Sequence, residues 1–270
     1  MDQQYEHRGC WQPAERLETS RRAHTFRRTS HDANINPPKE PTTVSITPPA
    51  STPIAADYVS QHQLLDRCVV GDWREQSLAD MRQYFRDDGP AEALYSGRRF
   101  ERLAGGGDTA AVRDVITPAD VLALTFLSIT DRLPAVTIDV TETYADRITK
   151  LLTQLPTDLA MHQAPWEHYA AGSPAFELWT LLCRCGGKQR WVMAHKLSAR
   201  KRPHLLPVYD NEVATLLQRP KDSWACLWTW LHDNPKRPKA LSELRDEVSG
   251  IADISLLRCL DVVLWMRATR

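Results

Sequence analysis

The sequence predicts an all-α domain that follows a polar, proline-rich segment. From Tyr58 to the end of the chain, apolar residues recur at the spacing of helices. Several of these stretches begin with a capping residue, and no convincing alternation of polar and apolar residues indicates a strand. Residues 1–55 are instead rich in Pro, Ser and Thr and carry no period, which predicts a disordered tail. The expected division is therefore a tail over 1–55 and a helical domain over 56–270.

The first predicted helices cover residues 58–70 and 77–85, and the sequence DDGP ends the second. Thr117 is the expected N-cap of the next helix, with Pro118 at its first position. An almost continuous apolar run from Val121 to Ile129 follows. This run predicts a central and buried helix.

The second half of the chain continues the helical pattern. A stripe of apolar residues over 140–155 ends at Pro156, and Ser173 with Pro174 begins a helix that Gly186 and Gly187 end. Residues 191–200 form a helix with a basic face that includes His195. The remaining predicted helices cover 211–218, 223–233, 239–248 and 255–269, and the last of them is expected to pack against the core.

Composition restricts the class of protein. The 270 residues include 34 basic and 34 acidic ones, and this neutrality argues against unspecific coating of nucleic acid. No apolar run approaches about 18 residues and the N-terminal residues lack an apolar signal segment, so we expect a cytoplasmic protein without a membrane partner. The six cysteines form no CxxC pair, and neither a metal nor a cofactor is predicted. The oligomeric state stays open.

The strongest local charge asymmetry lies between Trp179 and Tyr209, where no acidic residue occurs. One interpretation is a surface that binds phosphates, since clustered cations neutralise a nucleic-acid backbone. The other is a solvated face whose cations pair with acidic residues of other helices. Under the first interpretation the DNA-binding residues are Lys188, Arg190, Lys196, Arg200 and Lys201.

Asp210 follows this basic stretch and precedes a predicted helix. As an N-cap it would accept hydrogen bonds from the first turn, a contribution of about 1 kcal/mol that requires no function. Beside a DNA-binding face, the same carboxylate could stabilise a cationic sugar or position a water during cleavage of a glycosidic bond. Both roles are compatible with the local sequence.

Two stretches resemble the helix-hairpin-helix DNA glycosylases of the endonuclease III type, the HhH-GPD superfamily. TPADVLALTFLSITD is similar to the buried helix that opens their helical barrel, and VMAHKLSARKRPHLLPVYDNEV is similar to the second hairpin helix and the loop to the catalytic aspartate. Over a longer span, from YSGRRFERL to SLLRCLDVVLWM, the chain also looks like a bacterial domain family of unknown function. The glycosylase resemblance implies that Asp210 is catalytic and acts on a flipped base.

The chain departs from the superfamily in three respects. Val192 stands where bifunctional members have a Schiff-base lysine, Lys188 to Arg190 occupy a turn that usually contains glycines, and no four-cysteine cluster follows. The resemblance therefore implies a DNA-binding protein that is either a monofunctional glycosylase or a non-catalytic DNA-binding module. A helical protein-interaction domain is the further alternative.

Overall fold

The computed structural model describes residues 51–187 and 189–270, and every regular element within these ranges is helical. The all-α prediction is confirmed for this part of the chain. The predicted tail lies outside the described residues, except for residues 51–55. The α-helices are α1 (Val59–Val69), α2 (Arg74–Phe85), α3 (Pro118–Ala123), α4 (Leu133–Ile138), α5 (Ala145–Leu152), α6 (Pro174–Arg184), α7 (Trp191–Lys201), α8 (Asn211–Leu216), α9 (Ser223–Asp233), α10 (Lys236–Asp246) and α11 (Leu256–Ala268).

Helices α3 and α6 begin directly after the predicted N-cap residues Thr117 and Ser173. The Thr117 hydroxyl accepts the Asp120 amide at 3.3 Å, and the Asp120 carboxylate accepts the Thr117 amide at 2.9 Å, a complete capping box. Ser173 likewise accepts the Phe176 amide at 3.2 Å. These local hydrogen bonds satisfy amides that have no partner inside the helix, which explains why short sequence motifs located both helix starts.

The predicted buried helix begins as expected, and Val121, Ala123 and Leu124 are buried, but it does not continue to Ile129. Helix α3 ends at Ala123, a 3-10 turn spans Leu124–Leu127, and Ser128 takes the left-handed conformation with φ 63°. The Thr125 hydroxyl donates to the Leu122 carbonyl at 2.7 Å, a bond that competes with regular helix geometry. Leu122 is 54% exposed. An apolar run in sequence was thus mistaken for one buried element.

The core lies where α11 meets its neighbours. This helix packs against α2, α8 and α10, and its residues Leu257, Leu260, Val263 and Leu264 are buried. The prediction that the last helix packs against the core is confirmed. A second contact joins α6 to α5 and α7. No helix in the described ranges has the length and apolar character needed to cross a membrane.

Residues 86–117 connect α2 to α3 through irregular backbone and three short 3-10 turns, at Ala91–Ala93, Ser96–Arg99 and Leu103–Gly105. Gly97 and Gly107 are buried within this connection. A Cβ at Gly107 would lie 2.5 Å from the carbonyl oxygen of Arg200, so this backbone touches the end of α7 directly. The connection and α7 form the walls that position the site described next.

Candidate functional site

Helices α6 and α7 form a hairpin. The Arg190 amide donates to the Cys183 carbonyl at 2.8 Å and closes the turn. Gly186 and Gly187 both have φ 78°, a left-handed conformation that glycine adopts without strain. Helices α6 and α7 are therefore joined by a short connection that begins with these two glycines.

Two amides of this hairpin, those of Gly186 and Gly187, donate to groups inside the protein. The Gly186 amide donates to Asp139 Oδ2 at 2.7 Å, and the Gly187 amide donates to the Arg184 carbonyl at 3.1 Å. A phosphate that approached these amides would have to displace a carboxylate or a carbonyl. The hairpin therefore differs from a turn with free amides that is ready to receive a phosphate.

Two of the predicted DNA-binding residues belong to this turn. Lys188 lies outside the described residues. Arg190 forms an ion pair with Asp131, from Nη1 to Oδ2 at 2.9 Å, and its Nη2 donates to the Asp131 carbonyl at 2.7 Å. Its side chain is 12% exposed. A phosphate at Arg190 would therefore compete with an existing carboxylate partner.

The predicted basic face of α7 is buried, which corrects the expectation that Lys196, Arg200 and Lys201 form an exposed DNA-binding surface. Arg200 donates to Asp120 Oδ1 at 3.1 Å and to the Phe100 and Leu103 carbonyls. Lys201 donates to Asp120 Oδ2 at 3.1 Å and to the carbonyls of Gly107 and Val112. Lys201 has no exposed surface.

The physical reason is that these cations are satisfied internally. A buried ammonium or guanidinium is tolerated when carboxylates and carbonyls accept its N–H groups. Arg202 follows the same rule, with the Asp114 carboxylate at 2.7 Å and the Leu155 carbonyl at 2.8 Å. Burial lowers the pKa of Lys201, and the Asp120 carboxylate opposes that shift. The cations pair with acidic residues, as the alternative interpretation proposed, but inside the protein instead of on a solvated face.

Lys196 and Asp210 have a different setting, because they meet at the wall of a pocket. Lys196 Nζ donates to the Leu127 carbonyl at 2.9 Å and lies 3.4 Å from Asp210 Oδ2. Asp210 Oδ1 accepts the amides of Glu212 at 3.1 Å and Val213 at 3.2 Å, which confirms the N-cap prediction. One carboxylate oxygen therefore caps α8, while the other faces an ammonium group.

The pocket has a volume of about 490 Å³, which falls in the range typical of small-ligand sites, roughly 300–1,000 Å³. Aromatic residues form much of its wall. The rings of Tyr84 and Tyr95 stack with centroids 5.0 Å apart, and Trp265 meets Tyr95 edge to face at 5.9 Å. Lys196 and Asp210 line the same pocket. A flat ring bound here would lie between aromatic surfaces and two charged groups.

A buried polar cluster from α11 also lines the pocket. Arg258 forms an ion pair with Asp261, and its Nη2 donates to Tyr84 Oη at 2.6 Å and to the Gly97 carbonyl at 3.2 Å. Burial raises the pKa of Asp261 to about 7, although Arg258 beside it acts in the opposite direction. Burial also raises the pKa of Tyr84. The pocket wall thus contains a carboxyl group whose burial opposes its ionisation.

Sequence reasoning missed Arg258 and Asp261. Both interrupt the apolar stretch LLRCLDVVLWM, at positions one helical turn apart. Charged residues inside a largely apolar helix were the available signal, since such residues are rarely buried without a partner.

The charged residues of the pocket lining are Lys196 and Arg258 against Asp210, Glu212 and Asp261. When all are ionised, two positive charges face three negative ones. A bound phosphate would be repelled by this excess, whereas a polar uncharged ring or a cationic group would not. The pocket therefore suits the flat, non-phosphate part of a ligand. Among the described residues, no group of three or more potential metal ligands is present.

The fold and this pocket define an all-helical protein with an aromatic-walled site whose lining includes three carboxyl groups. Residues 77–268 match the family of unknown function DUF6308, and the chain belongs to that family. The predicted membership of a family of unknown function is confirmed. No curated protein and no solved structure matches the chain, and the resemblance to HhH-GPD glycosylases gains no support from these comparisons.

Proposed function

We propose that this protein binds DNA and hydrolyses the N-glycosidic bond of a base that is extruded into the pocket. The observation that carries the proposal is the position of Asp210, which lines an aromatic-walled pocket at the end of the segment that connects α7 to α8. A carboxylate beside a site for a flat ring is the arrangement that glycosidic cleavage requires.

The pocket would hold the base. Stacking of a base on an aromatic ring contributes about 1–3 kcal/mol, and Tyr95 and Trp265 offer partly exposed aromatic faces. The net negative lining disfavours a phosphate, so the backbone of the nucleic acid would remain outside while the base enters. The base would thus lie inside the pocket and the phosphates outside it.

Asp210 would act on the sugar. Its carboxylate stabilises the positive charge that develops at C1′ as the bond to the base breaks, and it accepts a proton from the attacking water. The water oxygen bonds to C1′, and the base leaves with the bonding electron pair and takes up a proton. Lys196, 3.4 Å from Oδ2, fixes the carboxylate in place.

The DNA backbone would be contacted at the hairpin instead of along α7. Arg132 and Arg184 are exposed there, and Arg132 Nη1 lies 2.8 Å from the Gly186 carbonyl. Because two or three arginines neutralise few phosphates, we expect a shallow salt dependence, with a slope of about −2 in log K against log salt.

The decisive experiment combines binding and cleavage. Wild-type protein should bind a duplex with an abasic-site analogue more tightly than an intact duplex, and should release a deaminated or alkylated base from a labelled duplex. Asp210→Asn should still fold and bind the abasic duplex but lose base release, because the amide carries no negative charge.

The matched control is Asp222→Asn. Asp222 also caps a helix, accepting the Ala225 amide at 3.0 Å, but does not line the pocket. Because asparagine caps a helix about as well as aspartate, this variant should keep most of its stability and retain base release. Equal, weak binding to both duplexes, together with no base release by wild type, would refute the proposal.

A second candidate is a non-catalytic DNA-binding module. The ion pair between Lys196 and Asp210 favours it, because an ammonium group at 3.4 Å offsets the negative charge that a developing cation needs. Preference for the abasic duplex without base release from any substrate would select this candidate.

A further inference from the structure

We propose that Asp261 selects the ligand of the pocket by its hydrogen-bonding edge, favouring a planar heterocycle that presents an N–H donor. The inference rests on the proposed function only in taking the bound ring to be a base. It assigns a specificity role to a residue on α11, remote in sequence from Asp210.

The first support is that one carboxylate oxygen of Asp261 has a hydrogen-bond partner and the other has none. Oδ2 is held by Arg258 Nη1, whereas Oδ1 is buried and has no hydrogen-bond partner among the described residues. The side chain lines the pocket and is only 3% exposed. A buried carboxylate oxygen without a partner is costly, and a donor from a ligand would relieve that cost.

The second support is that the orientation of Asp261 is fixed. Arg258 is itself held by Tyr84 Oη at 2.6 Å and by the Gly97 carbonyl at 3.2 Å. The guanidinium therefore cannot turn its donors away from Oδ2 without breaking these bonds. Asp261 consequently presents one oxygen, in one place, as an acceptor.

A specific consequence follows for Asp261→Asn. Arg258 offers only donors, so the new amide must turn its oxygen toward Arg258. Its NH2 group then takes the place of Oδ1. The substitution therefore replaces an acceptor by a donor at nearly constant shape, and selection for an N–H donor on the ligand should disappear.

The test measures binding of 9-methyladenine and 9-methylpurine to the full chain by calorimetry. The two rings differ only in the exocyclic amino group, and the methyl group stands for the sugar. Wild type at about pH 8 should prefer 9-methyladenine by about tenfold or more, the effect expected of a hydrogen bond to a charged group. Asp261→Asn should show no such preference.

A second measurement keeps the test valid if Asp261→Asn fails to fold. Because the pKa of Asp261 is raised to about 7, the carboxyl is ionised at about pH 8 and protonated at about pH 5.5. Wild type should therefore lose its preference at the lower pH. The charged groups that face Asp261 are Arg258 on α11, Lys196 on α7 and Asp210 before α8, with Tyr84 of α2 bound to the same guanidinium.

The pH series is repeated with Asp210→Asn to separate the two carboxyl groups. A preference that still disappears at low pH, or does so at a lower pH because the negative charge of Asp210 is gone, belongs to Asp261. A preference that Asp261→Asn retains overturns the assignment. Equal affinity of wild type for both rings, or binding of neither at millimolar concentration, also overturns it. Duplex cleavage with equal ring affinities would leave the proposed function intact, whereas ring selection without duplex binding or cleavage would remove only that function.

Discussion

Removal of the Asp120 carboxylate should lower the protein's free energy of unfolding by a large fraction. Asp120 is 1% exposed and accepts hydrogen bonds from Arg200 Nε and Lys201 Nζ, both at 3.1 Å, besides the Thr117 amide. In Asp120→Ala, two buried cations lose their shared carboxylate, a loss of about 3–5 kcal/mol. The broken capping box adds about 1 kcal/mol. We expect a total of about 4 kcal/mol or more, against a typical domain stability of about 5–15 kcal/mol.

The assay is equilibrium unfolding in urea, followed by tryptophan fluorescence and circular dichroism. Asp114→Ala is the matched control, since Asp114 pairs with Arg202 at 2.7 Å but its side chain is 33% exposed. Arg202 also keeps its bonds to the carbonyls of Leu152 and Leu155. The control should therefore lose only about 1 kcal/mol.

Equal losses for the two variants, each near 1 kcal/mol, would refute the reasoning, because they would mean that Arg200 and Lys201 reach water when Asp120 is removed. A double variant, Asp120→Asn with Lys201→Met, provides a further check. Its loss of unfolding free energy should be smaller than the sum of the losses of the two single variants. The reason is that it removes the buried ammonium group of Lys201 together with the carboxylate that pairs with it.

Two further predictions concern the pocket and the core. Gly97→Ala should destabilise the protein by about 1–3 kcal/mol and weaken ring binding, because the new Cβ would lie 1.9 Å from Tyr84 Oη. Thermal unfolding of Gly250→Ala serves as the comparison. At Gly250 no atom lies within 4 Å of the new Cβ but φ is 79°, so this variant gives the cost of backbone strain alone. Burial lowers the pKa of His195 from 6.5 to about 3, so the unfolded chain takes up a proton first and stability falls as the pH drops below about 6.5. Between about pH 6.5 and 4.5, the free energy of unfolding should fall by about 2 kcal/mol less in His195→Phe than in wild type, as measured by urea unfolding at both pH values. An unchanged pH dependence would mean that His195 is protonated in the folded protein without loss of stability.

The parts of the fold that local sequence determines were predicted correctly. Ser173, Thr117 and Asp210 cap helices through bonds to amides two or three residues away, so the sequence contains the whole interaction. The length of α3 was not predictable in this way. Its end depends on Thr125 and Ser128, whose effect on the backbone is not apparent in an apolar pattern.

The charged residues show why the site was harder to predict. The sequence predicted an exposed basic face at Arg200 and Lys201, because their partner, Asp120, lies about 80 residues earlier in the chain. Nothing local indicates that carbonyl groups from another segment surround them. Arg258 and Asp261 could have been recognised as exceptions in an apolar helix, but their meeting with Asp210 at one pocket depends on how α11 packs.

The three consecutive cations at the end of α7 have a consequence for how this family can vary. Many of the groups that Arg200, Lys201 and Arg202 bind are main-chain carbonyls, of Phe100, Leu103, Val112, Leu152 and Leu155 among others. A carbonyl is present at every position, whatever the side chain. The bonds to the carbonyls of Phe100, Leu103 and Val112 therefore hold the connection before α3 against the end of α7 without requiring particular side chains at those three positions. Gly97 and Gly107 are exceptions, since a side chain would collide with Tyr84 at the first position and with the backbone of Arg200 at the second.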